Sequence, residues 1–328
     1  MRIIILITLF ISTFAIGESS ETIVITNSMP NLIGPVSKNK EEKQNMFSGK
    51  VEELIKTFGA KLLVPSKPEG ALRIVSYNVH NWAGPGNEAF GFRRSPAQRE
   101  KEFGRIVSMI KNLNPDIVVF EEARAYDNQA GQKGAKRAEA FKEQGFLYNE
   151  FIPGGNEEQN NGPFGNLIIS KQPFKAISKA QYKNQDRAYI KATFDLSAMG
   201  KSDLVVYGTH LQNANTEKDK QMRKSSAEEL VNMINADQNK NIVLAGDFNE
   251  SQAEKSPALV LLDKNLKNSY DLAKVTPGFT AANGSVIDYI YTKLFDLNLV
   301  GTYLDFTIFN DGKPELGSDH LPVVLDLK

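Results

Sequence analysis

Runs of apolar residues that finish on a single polar side chain recur along this chain. From Ala71 to His80 the alternation puts Asn78 and His80 on one face and Tyr77 and Val79 on the other, the period of a strand. Asp116–Phe120 reads as a buried strand whose C-terminal edge carries Glu121, Glu122 and, two residues on, Arg124. Gly165–Ser170 begins another, with Asn166 at its start, and Tyr189–Phe194 follows Arg187. Asp203–His210 ends on a histidine. In Asn241–Asn249 an apolar strand leads into a turn at Gly246, with Asp247 and Asn249 pointing the same way at i and i+2. Val286–Tyr291 carries Asp288 out of an oily surface, and Leu321–Leu325 is a closing strand after the turn Gly317-Ser318-Asp319-His320.

Helical spacing appears between the strands. Phe103, Ile106, Val107, Ile110 and Leu113 predict a helix over 96–113, with Ser95 as cap and Pro96 in the first turn. Ala227, Leu230, Val231 and Ile234 form the inner face of a second helix over 217–237. The charged stretch 126–145 reads as part helical, and 156–165 as a long surface loop. Core strands delivering polar groups at their ends, with helices between, describe a layered α/β fold whose site lies along one edge of the sheets.

A polar group at the end of a buried strand is costly unless it is bonded, so Asn78, Glu122, His210, Asp247, Asn249 and Asp288 are candidates for a site. A carboxylate and an amide sharing a face, as Asp247 and Asn249 do, suit a phosphoryl group or a metal. A loop-borne Asp319-His320 near a strand-borne Asp288 is a way to orient an imidazole and stabilise its protonated form.

Composition narrows the chemistry. The chain has 328 residues, no cysteine and only three histidines, His80, His210 and His320. Thiol nucleophiles, zinc–thiolate sites and disulfides are therefore excluded, and a three-histidine zinc site would need every histidine. Lys+Arg and Asp+Glu both number 39, so any nucleic-acid contact must come from a local basic patch. Met1-Arg2, an apolar segment and small residues at Ala15 and Gly17 predict a secretory signal over 1–17, with an uncleaved anchor as the alternative; the product would be secreted or periplasmic. Residues 18–70 read as a lead-in with a short helix near Val51–Phe58, and 71–328 as the domain that carries the strands.

The ordered set SYNVHNW, PDIVVFEE, GNLIIS, GTHLQ, AGDFN, IDYI and GSDHLPV resembles the endonuclease/exonuclease/phosphatase superfamily with its deoxyribonuclease-like fold, over about residues 71–328. The resemblance implies a four-layer α/β/β/α sandwich with two packed mixed β-sheets and hydrolysis of a phosphoester with Mg2+, or Mn2+ or Ca2+. It makes Glu122 the principal metal ligand beside Asn78, with Asp319 joining through the ion or a water. It makes Asp247 and Asn249 the pair that orients the nucleophile and holds the phosphate, His320 with Asp288 the acid/base group, and His210 a contact to the scissile phosphate. Two departures stand out: Glu121 occupies a position where the family commonly has Gln, and His210 has no evident acidic partner.

For substrate, His80 and Arg124 stand where the deoxyribonuclease branch has basic residues, and Asn166, Arg187, Arg93, Arg94 and Arg99 offer further contacts. Trp82, Phe90 and Phe92 are aromatic groups for a lipid or a base. The resemblance thus favours a nuclease on DNA or RNA, with a lipid phosphodiesterase, a phosphomonoesterase on small phosphoesters, or a non-catalytic binding domain as alternatives.

Overall fold

The computed structural model describes residues 64–82, 96–129, 132–154, 164–183, 185–238, 240–252, 256–275, 277, 280–281, 284–305 and 317–328. The expected signal, the helix near Val51–Phe58, the cap at Ser95, the residues Phe90, Phe92, Arg93 and Arg94, and most of the loop 156–165 lie outside them.

The elements run β1 (Leu72–Asn78), α1 (Pro96–Leu113), β2 (Ile117–Arg124), β3 (Tyr126–Gln129), β4 (Gln132–Lys136), β5 (Tyr148–Pro153), β6 (Phe164–Ser170), β7 (Ala176–Gln181), β8 (Ala188–Phe194), β9 (Leu204–His210), α2 (Glu217–Ala236), β10 (Asn241–Asp247), α3 (Pro257–Asn265), β11 (Lys267–Asn268), α4 (Ser269–Ala273), β12 (Asp288–Lys293), β13 (Leu299–Leu304) and β14 (Val323–Leu327). One six-stranded sheet has the order β13-β14-β1-β2-β6-β5, the other β11-β12-β10-β9-β8-β7, and β3 and β4 pair apart from both. Both large sheets are mixed: β1 is parallel to β2 and antiparallel to β14, as β10 is parallel to β9 and antiparallel to β12.

Alternation along β1 and β2 sorts the core into layers. Val75, Tyr77, Val118 and Phe120 pack with Phe103, Ile106, Met109, Ile110 and Leu113 of α1. Leu72, Ile74, Ile117 and Val119 face the other way, into the core shared with the second sheet. Gly208 lets the sheets pack closely there, since a Cβ would stand 2.6 Å from Val119 Cγ1. On the outer side of the second sheet α2 buries Ala227, Leu230, Val231 and Ile234. Its first turn is closed by a capping box between Thr216 and Asp219. This is the four-layer sandwich that the resemblance implies.

The stretch 126–145 is part helical, a hairpin (β3, β4) followed by a 3-10 helix over Arg137–Gln144. One expectation changes. The strand carrying Asp288 starts at that residue, and it reaches the site by running antiparallel to β10.

Candidate active site

Register assembles the centre of the site. Across β9, β10 and β12, His210 pairs with Asp247 and Asp247 with Asp288, so three polar side chains share one rung and one face of the second sheet. In the first sheet Asn78 pairs with Glu121 on the adjoining strands. Asn78 spans the gap between sheets: its Nδ2 donates to Asp247 Oδ2 at 2.9 Å.

His320 arrives on the loop before β14. Ser318 pins that loop, donating from Oγ to the carbonyl of Asn78 at 2.7 Å and accepting from the amide of His320. Gly317 leaves room, because a Cβ there would meet Ile106 Cγ1 at 2.7 Å. The imidazole Nδ1 then lies 2.9 Å from Asp288 Oδ2 and 3.1 Å from Oδ1. Asp288 is itself held, with its amide donating to Thr280 Oγ1 and its carbonyl accepting from Tyr270 Oη. Burial opposes charging His320, but Asp288, Asp319 and Asp247 outweigh it and hold its pKa well above the ordinary imidazole value. Asp247 is pushed up to about 7, by burial first and then by the Asp288 charge, against the pull of His320 and two hydrogen bonds.

His210 sits in the opposite setting. Its Nε2 is 3.6 Å from Asp247 Oδ2, 3.9 Å from Glu122 Oε1 and 2.9 Å from Asn249 Nδ2, and its Nδ1 is 3.0 Å from Arg187 Nη1. Burial, Arg187 and His320 together push its pKa well below the ordinary value. Asn249 is not on the strand. It follows Asp247 in a turn at φ 52° in which its amide donates to Asp247 Oδ1 at 2.8 Å, so the two side chains meet through a turn and not through strand alternation.

Glu122 reaches the site through a bulge. The register between β2 and β6 slips between Phe120 and Ala123, and Glu122 takes a left-handed φ of 53°. Strand alternation is thereby broken, and its carboxylate lies near His210. Glu121 keeps the strand register and is fully buried, accepting from Ser76 Oγ at 2.9 Å while its Oε2 has no partner among the described residues. Burial and the Asp288 charge raise the pKa of this acid, which stands where the resemblance leads one to expect Gln, well above the usual carboxylate range.

The remaining predicted residues divide. His80 is at the site but not on the strand face: the strand ends at Asn78, and His80, Asn81 and Trp82 follow with φ of 42°, 58° and 60°. The amide of His80 donates to Asn78 Oδ1, and its ring Nδ1 is 3.5 Å from Asp319 Oδ1. Asp319 is held ionised, since burial is outweighed by His80 and His320. Arg124 is buried, with Nε donating to Asn81 Oδ1, and Trp82 donates from Nε1 to its carbonyl. Trp82 is buried edge-on against Phe103 and Phe120, which removes it as a lipid or base contact. Asn166 is also buried, its Nδ2 donating to the carbonyl of Ala188 at 2.8 Å, a tie between β6 and β8. Arg187 lies against His210 and Gln212, and not on an exposed face. The sequence placed Ser318 in a turn but not against Asn78, and it gave no role to Gln212, which meets Arg187, or to Thr280, which holds the amide of Asp288.

The expected ligands Glu122, Asn78 and Asp319 are all oxygen donors, the chemistry of a hard divalent cation, and the chain has no thiolate. Asp247, Asp288 and His320 also bring ligand atoms within 4.8 Å of one another, but Nδ1 of His320 is already committed to Asp288.

A sequence model of the endonuclease/exonuclease/phosphatase family matches residues 76–320. No curated protein sequence matches the chain. Among solved structures, an endonuclease/exonuclease/phosphatase from Beutenbergia cavernae is 22% identical over 79% of this chain and 71% of its own, with a TM-score of 0.59. The human Nocturnin catalytic domain with bound sulfate is 20% identical over 79% and 93%, with a TM-score of 0.62. The D. rerio TDP2 complex with a single-strand DNA product is 16% identical over 79% and 100%, with a TM-score of 0.56. At these identities the likeness is one of fold.

Proposed function

The chain belongs to the endonuclease/exonuclease/phosphatase family of phosphoester hydrolases, and from that premise we propose that it is a divalent-metal-dependent phosphodiesterase cutting a nucleic-acid backbone, with magnesium as its metal. The observation that carries this reading is the Asp288–His320 contact at 2.9 Å, set on the same rung as Asp247.

Asp247 is the base. A carboxyl near pKa 7 is matched to removing a proton from water at neutral pH, and its Oδ2 faces the space between the sheets. Water attacks phosphorus in line with the departing oxygen as Asp247 Oδ2 takes its proton. His320, protonated and backed by Asp288, donates from Nε2 to the departing oxygen and stabilises its charge. Asn249 and His210 border the position of the non-bridging oxygens. Glu122, with oxygens of Asn78 and Asp319, would hold the cation, which supplies Lewis-acid stabilisation of the phosphoryl group.

Nucleic acid is favoured as substrate by the DNA product bound to the fold neighbour TDP2. The apolar segment following Met1-Arg2 supports export of the enzyme.

Incubation of supercoiled plasmid with the protein and Mg2+, beside EDTA and His320→Ala controls, tests the reading. Nicking that needs both metal and His320 is expected. Folded protein that leaves DNA and RNA intact would overturn the nuclease reading, and turnover of bis(p-nitrophenyl) phosphate would then retain only the phosphodiesterase chemistry.

A further inference from the structure

His320 and His210 are held by partners of opposite sign. Asp288 accepts at Nδ1 of His320, whereas Arg187 stands 3.0 Å from Nδ1 of His210. A guanidinium has five donors and no acceptor, so a nitrogen facing it must keep its lone pair. The aim of Arg187 is fixed: it is 6% exposed, its Nε donates to Gln212 Oε1 at 3.3 Å, and Gln212 in turn donates to Asp219 in the first turn of α2.

We propose that Arg187 is a positioning residue that locks His210 as the tautomer protonated at Nε2, making it a neutral hydrogen-bond donor to the phosphoryl group and leaving proton transfer, of these two, to His320. The tautomer follows from geometry alone; the recipient of the hydrogen bond rests on the function proposed above.

Asn249 completes the argument. As placed, its Nδ2 approaches Nε2 at 2.9 Å and also donates to the carbonyl of Leu211 at 3.0 Å. A neutral imidazole accepts at one nitrogen only, so donors at both Nδ1 and Nε2 are incompatible. A half-turn of the Asn249 amide gives up its bond to the carbonyl of Leu211, whereas no rotation turns the guanidinium into an acceptor, so Asn249 is the partner that adapts and offers Oδ1 to Nε2–H. Without a bound phosphate the Nε2–H also faces Asp247 Oδ2 at 3.6 Å and Glu122 Oε1 at 3.9 Å.

With only three histidines in the chain, 15N-histidine NMR of the whole protein resolves the question directly, His210 being assigned from the signal lost in His210→Gln. At about pH 7.5, with EDTA and with Mg2+, the expected pattern is a neutral ring protonated at Nε2. A proton on Nδ1, or an imidazolium, would overturn the proposal. Arg187→Met is expected to mix the two tautomers, and Arg187→Lys to restore the Nε2–H form. With bis(p-nitrophenyl) phosphate, Arg187→Met should lower kcat by roughly 10- to 100-fold with KM changed by less than about threefold, and Arg187→Lys should recover most of it. A raised KM with unchanged kcat would instead make Arg187 a direct substrate contact. If no phosphodiester is cleaved, the proposed function fails, while the NMR still decides the tautomer.

Discussion

Asp247 and Asp288 face each other across one rung of the β10–β12 ladder, two buried carboxylates set on a single imidazole. His320 lies 2.9 Å from Asp288 through Nδ1 and 3.9 Å from Asp247 through Nε2. Two like charges this close cannot both ionise without a shared cation, and the protonated ring supplies it. The arrangement divides the labour between the carboxyls. One holds the imidazole, and the other is pushed toward neutrality.

Replacing Asp288 by Asn removes the group that raises the His320 pKa most. The protonated form of His320 is the active one on the proposed mechanism, so activity is lost as pH rises through its pKa. In Asp288→Asn that alkaline limb should move to lower pH, and kcat should fall on the order of 100- to 10,000-fold. A pH–rate profile with a chromogenic phosphodiester measures both.

Asp247→Asn should abolish most turnover and yet stabilise the metal-free protein. The folded pKa of about 7 lies above the unfolded value, so the native state binds the extra proton and loses stability as pH rises from about 4 to about 7. Asn carries no such penalty. Thermal unfolding in EDTA at about pH 8 should show a gain of roughly 1–4 kcal/mol over the parent, vanishing near about pH 4.

Glu121→Gln tests whether the buried acid is held neutral. Its raised pKa means that stability is lost as pH climbs from the ordinary carboxylate range toward the folded value, and an amide of the same shape removes that slope. Unfolding temperature against pH should be flatter in the variant, with plasmid nicking retained. A steeper slope, or lost nicking at unchanged stability, would show the carboxylate acting in its charged form.

The close approach of the sheets gives a packing test. Gly208→Ala puts a Cβ 2.6 Å from Val119 Cγ1, and the cost of overpacking should be about 1–3 kcal/mol in urea unfolding. Val119→Ala in the same chain should recover part of it, because the clash is with that side chain alone.

Much of this was legible one segment at a time. A polar residue closing an apolar strand is locally expensive, so Asn78, Asp247 and His210 announced themselves from sequence, and the helical spacing of Phe103, Ile106, Ile110 and Leu113 marked α1 over its whole length. His320 and Asp288 were paired by residue type and order along the chain, and their contact is where that pairing placed it.

Only the tertiary structure decided how those groups face one another. The left-handed backbone and bulge that turn Glu122 out of strand alternation depend on pairing with β6, and the rung joining His210, Asp247 and Asp288 depends on register between strands far apart in sequence. Trp82 reads as an exposed aromatic until Phe103 and Phe120 close over it. Arg187 reads as a surface cation until the β8–β9 pairing sets it on His210, 23 residues away. Burial costs and periodicity are local and therefore written in the sequence, whereas a hydrogen bond between distant side chains exists only once the strands carrying them are packed.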